Sequence, residues 1–197
     1  MSAPIISIYE VNVDKTTGAQ TEKNATNSWA PGVVKAGEES KEKVVAIWNN
    51  HDNNPGQGGT DTIHDMIEVS VTALDASGNN GPTSDPIAKD SWIKVNVNGQ
   101  TETDNSDPSD PKTVDVWKPI GKDNTVMIWN NLKDPATFEG DDTKDYVLKG
   151  TDTSANANTG FGYDKDKYAV CRFKIAVPAT ADPGSTGFKI RFQGYYV

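Results

Sequence analysis

Residues 168–196 read YAVCRFKIAVPATADPGSTGFKIRFQGYY, and the alternation in this stretch decides the fold class. From Ala169 every second residue is small or apolar: Ala169, Cys171, Phe173, Ile175 and Val177. Arg172 and Lys174 fall between them. A period of two sends successive side chains to opposite faces of a strand, so this segment offers one face to a core and one to water. Pro178 ends the run, and Pro183-Gly184 marks a turn. Alternation then resumes, with Phe188, Ile190 and Phe192 on one face and Lys189, Arg191 and Gln193 on the other. The stretch is expected to form an antiparallel pair with one buried face.

The same pattern extends towards the N-terminus. Ile63, Ile67, Val69, Val71 and Ala73 share one expected face of a strand over 63–74, with Glu68, Ser70 and Thr72 opposite. Residues 93–97 place Ile93, Val95 and Val97 inward. Residues 44–49 (VVAIWN) form a nearly continuous apolar run, as a central strand would. Shorter runs stand at 114–117, 126–129 and 146–148. Residues 35–43 (KAGEESKEK) carry charge all round and would bury nothing as a helix. Long polar connections rich in Asn, Asp, Gly and Pro separate the runs, and they suit turns and a surface that meets partners. The expected fold is all-β: an antiparallel β-sandwich, immunoglobulin-like or jelly-roll-like, with long polar loops. Its core is expected to draw on Ile67, Val69, Val71, Ile93, Val95, Phe173, Ile175, Ile190 and Phe192. Residues 1–30 are expected to be an N-terminal strand and polar arm, and 31–197 the sandwich domain. In the arm, Ile5, Ile6, Ile8 and Tyr9 put apolar side chains on both faces, as a strand that associates with another subunit would.

Charge narrows the function classes. The chain has 197 residues and a formal charge of −9, and only Arg172 and Arg191 among its 19 basic residues are arginine. Such a surface repels phosphate backbones and anionic lipid, so no nucleic-acid partner and no membrane insertion are expected. No run reaches the ~20 apolar residues of a membrane span. The N-terminus, MSAPIISIYEVNV, has neither a basic region nor a long apolar stretch, so no signal peptide is expected. Synthesis and assembly in the cytoplasm follow from that expectation.

Catalytic and cofactor signatures fail in turn: G-x-S-x-G, H-E-x-x-H, a P-loop and a dinucleotide fingerprint are all absent. The single cysteine, Cys171, falls on the inward face of its strand, where a thiol is inert. His51-Asp52 and His64-Asp65 do not complete a zinc set. The acidic loops at 104–110 and 141–145 lack the spacing of a calcium loop. No catalytic residue, metal site or cofactor is expected.

One internal echo carries the candidate binding residues. Ile47-Trp48-Asn49-Asn50 recurs as Ile128-Trp129-Asn130-Asn131. A tryptophan ring beside asparagine amides can stack on a sugar and bond its hydroxyls, so Trp48, Asn49, Asn50, Trp129, Asn130 and Asn131 are candidate carbohydrate or interface contacts. The alternative is structural: each tryptophan caps a core and the asparagines bond turning backbone.

Residues 168–196, with Val177-Pro178 leading through Ala and Asp-Pro-Gly to a returning strand, resemble the last hairpin of immunoglobulin-like modules in bacterial surface and phage proteins. The whole chain also resembles accessory virion proteins of tailed phages, which are leaderless, acidic, all-β and rich in Asn, Asp and Thr. That resemblance implies a virion structural protein, such as a capsid decoration, head-fibre or tail and baseplate component. Its partners would be further copies of itself and other virion proteins. An adhesive module that binds a cell-surface glycan is the alternative.

Overall fold

The computed structural model describes residues 6–13, 20–49, 51, 64–130, 146–150, 166–184 and 186–196. The described chain is nearly all β, in antiparallel sheets. Six strands form the larger sheet: β1 (Ile6–Val13), β2 (Gln20–Ala25), β3 (Lys43–Asn49), β5 (Ile93–Val97), β8 (Lys118–Ile120) and β11 (Tyr168–Ile175), in the order β2-β1-β3-β11-β5-β8. The smaller sheet is built on β4 (Met66–Asp75), which carries β12 (Phe188–Tyr196) on one side. The other side of β4 carries the two short strands β9 (Val126–Met127) and β10 (Val147–Leu148). A separate hairpin joins β6 (Thr101–Asp104) to β7 (Lys112–Asp115). The one described helix is a single turn, α1 (Pro86–Lys89), whose Ile87 and Ala88 pack into the core.

Both sheets contribute to one apolar core. Val45, Ile47, Val95, Val97, Cys171, Phe173 and Ile175 enter it from the larger sheet, and Met66, Val69, Val71, Ala73 and Leu148 from the smaller. The Phe173 and Phe192 rings meet across it, 6.2 Å apart and nearly perpendicular, a favoured aromatic geometry. The continuous apolar run in β3 has its reason here. Val45 and Ile47 face this core, while Ala46 and Trp48 face a second cluster on the outside of the same sheet, with Val11, Tyr168 and Val170.

Three expectations change. First, β11 and β12 are not paired with each other. β11 is bonded to β3 and β5, and β12 to β4. The connection through Pro178 and Pro183 carries the chain from one sheet to the other, and the apolar faces of both strands still meet because they line one core. Second, the described part of residues 1–30 is not a free arm. β1 is bonded to β3 on one side and to β2 on the other, and β2 comes from the polar stretch expected to give reach. Ile8 packs on the main core, Tyr9 on the outer cluster, and Ile6 is 40% exposed; Ile5 lies outside the described residues. A strand with apolar residues on both faces is explained by its place inside a sheet covered on both sides.

Third, Met66 rather than Ile67 takes the core position at the start of β4. Glu68 has φ 52°, and the β4–β12 register shifts between Gln193 and Tyr195. This is a β-bulge: one extra residue on β4 reverses the faces before it. Gly194 lies opposite, where a Cβ would come within 3.1 Å of the Ile67 carbonyl oxygen. Ile63 lies outside the described residues.

The outward face of β11 is covered rather than solvated. Arg172 bonds Glu42 at 3.0 Å and Asp115 at 2.9 Å, and Lys174 sits 4.3 Å from the centre of the Trp117 ring. Burial works against the Arg172 charge, but the hydrogen bonds it donates to Glu42 and Asp115 outweigh it and raise the guanidinium pKa. Asn98 (φ 52°) and Gly99 (φ 69°) form the tight turn that leaves β5. Asn-Gly favours a turn with positive φ at both central residues.

Candidate functional site

The structure places the two Trp-Asn echoes in different surroundings. Trp48 is 1% exposed, within the outer cluster, its ring 4.3 Å from Tyr168 and edge-on to His51 at 4.8 Å. Trp129 is 2% exposed and belongs to the main core. Neither ring presents a face on which a sugar could stack, and the two copies are not equivalent edges. Asn49 is buried and its Nδ2 donates to the carbonyls of His64 and Leu148, at 2.9 and 3.0 Å, tying β3 to the segment that holds β10. Asn130 is buried and donates to the Val147 carbonyl at 3.0 Å. Asn50 and Asn131 lie outside the described residues.

Sequence reading missed the residue that joins these pieces. Asn98 Nδ2 donates to the carbonyls of Trp129 and Asn130, at 2.7 and 3.0 Å, and its Oδ1 accepts from the Val170 N–H at 2.7 Å. The Asn98-Gly99 dipeptide was the available signal, because it is a strong hairpin marker. Buried amides of this kind satisfy backbone groups that leave the regular ladders.

The other polar candidates are engaged locally. His51 stacks on Tyr9 at 3.9 Å, and His64 lies 5.4 Å from the Tyr196 ring. Asp65 pairs with Lys149 at 2.9 Å and accepts from the Gly150 N–H. In the 104–110 loop, Asp104 accepts from Ser106 and Asp107 from Ser109, and those bonds lower both carboxyl pKa values. Among the described residues no three His, Cys, Asp or Glu side chains are grouped to hold a metal. Cys171 is buried, and desolvation pushes its thiol pKa far up. No described helix is long and apolar enough to cross a membrane.

One unfilled feature among the described residues is a seam between the two sheets. On this side the larger sheet ends in β2 and the smaller in β12, so neither strand has a further neighbour among the described residues. Between them runs a groove of about 470 Å³, lined by Ile8, Trp29, Val45, Phe173, Ile190 and Phe192, with the polar segment 26–28, Lys43 and Lys189 completing its wall. The Trp29 ring stands edge-on to Phe188 at 5.3 Å, part-way down the opening. Ile190 and Phe192 are only half-buried, as groove walls are. On the other face of β12, Lys189, Arg191 and Gln193 are exposed, and the strand ends in Tyr195 and Tyr196, 68% and 60% exposed.

β12 is thus a nine-residue edge strand with an apolar inner face, a cationic outer face and an aromatic end. Unpaired N–H and C=O groups along such an edge are a template for another strand. No protein-family model, no curated protein and no solved structure matches the chain.

Proposed function

We propose that the chain is a non-catalytic structural protein that acts by protein–protein assembly, as a virion component of a tailed phage in the capsid decoration, head-fibre or tail and baseplate class. The observation that carries the assembly reading is the seam: a long strand edge with no further neighbour among the described residues, a largely apolar groove beside it, and exposed Tyr195 and Tyr196 at its end. Apolar and aromatic surface next to a free edge has the chemistry of a protein interface. The virion part rests on the composition, which is acidic and rich in Asn, Asp and Thr. The carbohydrate-binding alternative drew on Trp48 and Trp129, and with both rings buried no observation favours it.

Light scattering on the purified chain across a concentration series tests the reading. The expected result is a defined mass that is a multiple of the 21.2 kDa chain. A strictly monomeric chain at every concentration contradicts self-assembly.

A further inference from the structure

We infer that the β12 edge receives one extended strand of another protein, in which apolar and acidic residues alternate. This rests on the assembly reading above and names the partner of its seam. Three features fix the chemistry of the occupant.

The first is the unequal width of the sheets. β12 lies over β11, as the Phe173–Phe192 contact shows, and the groove reaches beyond it to Val45 of β3 and Ile8 of β1. The larger sheet therefore overhangs β12 by about the width of its outer strands. A single strand laid along β12 would rest on this ledge. A second copy approaching edge to edge would bring its own overhang against the first. The seam therefore suits one extended strand better than a second sandwich docked edge to edge.

The second is the apolar lining. A strand added to β12 alternates its side chains between the groove and the outside. Side chains on its inner face would meet Ile8, Trp29, Phe173 and Ile190, with polar groups only from 26–28, Lys43 and Lys189, so apolar side chains suit that face.

The third is charge. On the outer face Lys189 and Arg191 are exposed and make no ion pair, in a chain whose formal charge is −9. Most other described cations are paired, Lys43 with Glu10 and Lys174 with Glu39 among them. Opposite charges on adjacent strands stabilise the pairing and like charges oppose it. Lys189 and Arg191 thus discourage a cationic edge and favour acidic side chains at the alternate positions of the incoming strand.

The test uses the full chain and a dye-labelled nine-residue peptide alternating valine and glutamate, matched in length to β12. Fluorescence anisotropy is expected to show saturable binding, and hydrogen exchange to show new protection of β12 amides. A valine–lysine peptide should bind about tenfold more weakly, and the double variant Lys189→Glu/Arg191→Glu should reverse that preference. Both substituted side chains are exposed, so the variant should melt like the parent. N-methylation of alternate peptide nitrogens along the bonding edge should abolish binding while leaving every side chain in place. Equal binding of the two peptides, an unchanged preference in the variant, or binding without protection of β12 would each overturn the proposal. Absence of binding in a chain that self-associates by light scattering overturns the strand proposal and leaves the assembly reading standing. Absence of both removes the two together. If Lys189→Glu/Arg191→Glu instead changes the self-associated mass, the occupant is a second copy and the proposal is wrong.

Discussion

Replacing Asn98 by alanine should cost about 4 kcal/mol of stability. The side chain makes three hydrogen bonds, two from Nδ2 to the carbonyls of Trp129 and Asn130 and one from the Val170 N–H to Oδ1. Each such bond contributes about 1 kcal/mol net, so their loss accounts for about 3 kcal/mol. The residue also holds φ 52°. Asparagine tolerates that conformation, whereas alanine there costs about 1 kcal/mol more. Asn98→Gly separates the two contributions: it loses the bonds without the backbone cost and should destabilise by about 3 kcal/mol. The exposed Asn79 is a control, and Asn79→Ala should stay within about 0.5 kcal/mol of the parent. Urea titration followed by tryptophan fluorescence and by far-ultraviolet circular dichroism measures all three variants. A loss below about 1 kcal/mol for Asn98→Ala would show that the three bonds are not formed in solution. Equal losses for the alanine and glycine variants would refute the backbone part of the argument.

Other consequences can be measured on the same protein. Phe173→Ala should destabilise by about 3 kcal/mol, the low end for a buried phenylalanine, because the space left opens into the groove and can fill with water. Lys174→Ala should cost about 1 kcal/mol, not the near-zero of a solvated lysine, since its side chain is only 14% exposed, pairs with Glu39 and covers Trp117. The Cys171 thiol, buried and with its pKa pushed up, should resist a thiol reagent in the native chain and react at the rate of global opening. Asp104 and Asp107 should titrate below the ordinary aspartate range in a carboxyl-resolved NMR titration. Because their folded pKa values are depressed, the contribution of their loop bonds is present above the unfolded aspartate pKa and is lost as pH falls through the folded values.

How far the sequence could be read depended on whether a feature was local. Alternation in 169–175 and 188–192 located β11 and β12, because a period of two is imposed by the backbone itself. It could not say which strands they pair with. Any strand with one apolar face satisfies the same pattern, and only the connection through Pro178 and Pro183 distinguishes a hairpin from a crossing between sheets. The Met66–Ile67 reversal was hidden for a related reason. A bulge adds one residue, and a sequence shows the alternation on either side but not the break in phase, least of all when Met66 and Ile67 are both apolar. Trp48 and Trp129 looked alike in sequence because their neighbours are alike. They differ in the structure because β3 has a cluster on each face, and the face of Trp48 is the outer one. The seam could not be read at all. It exists because a six-stranded sheet and a narrower one share a single core, a difference in width that belongs to no single segment.

Residue-resolved hydrogen exchange along β12 in the isolated chain tests most directly whether this edge is open to a partner. The amides of Phe188–Tyr196 that bond β4 should exchange slowly, and the intervening ones that face the seam should exchange fast. Slow exchange at every β12 amide would mean that the edge is already covered in the isolated chain, and the assembly account would lose the surface on which it stands.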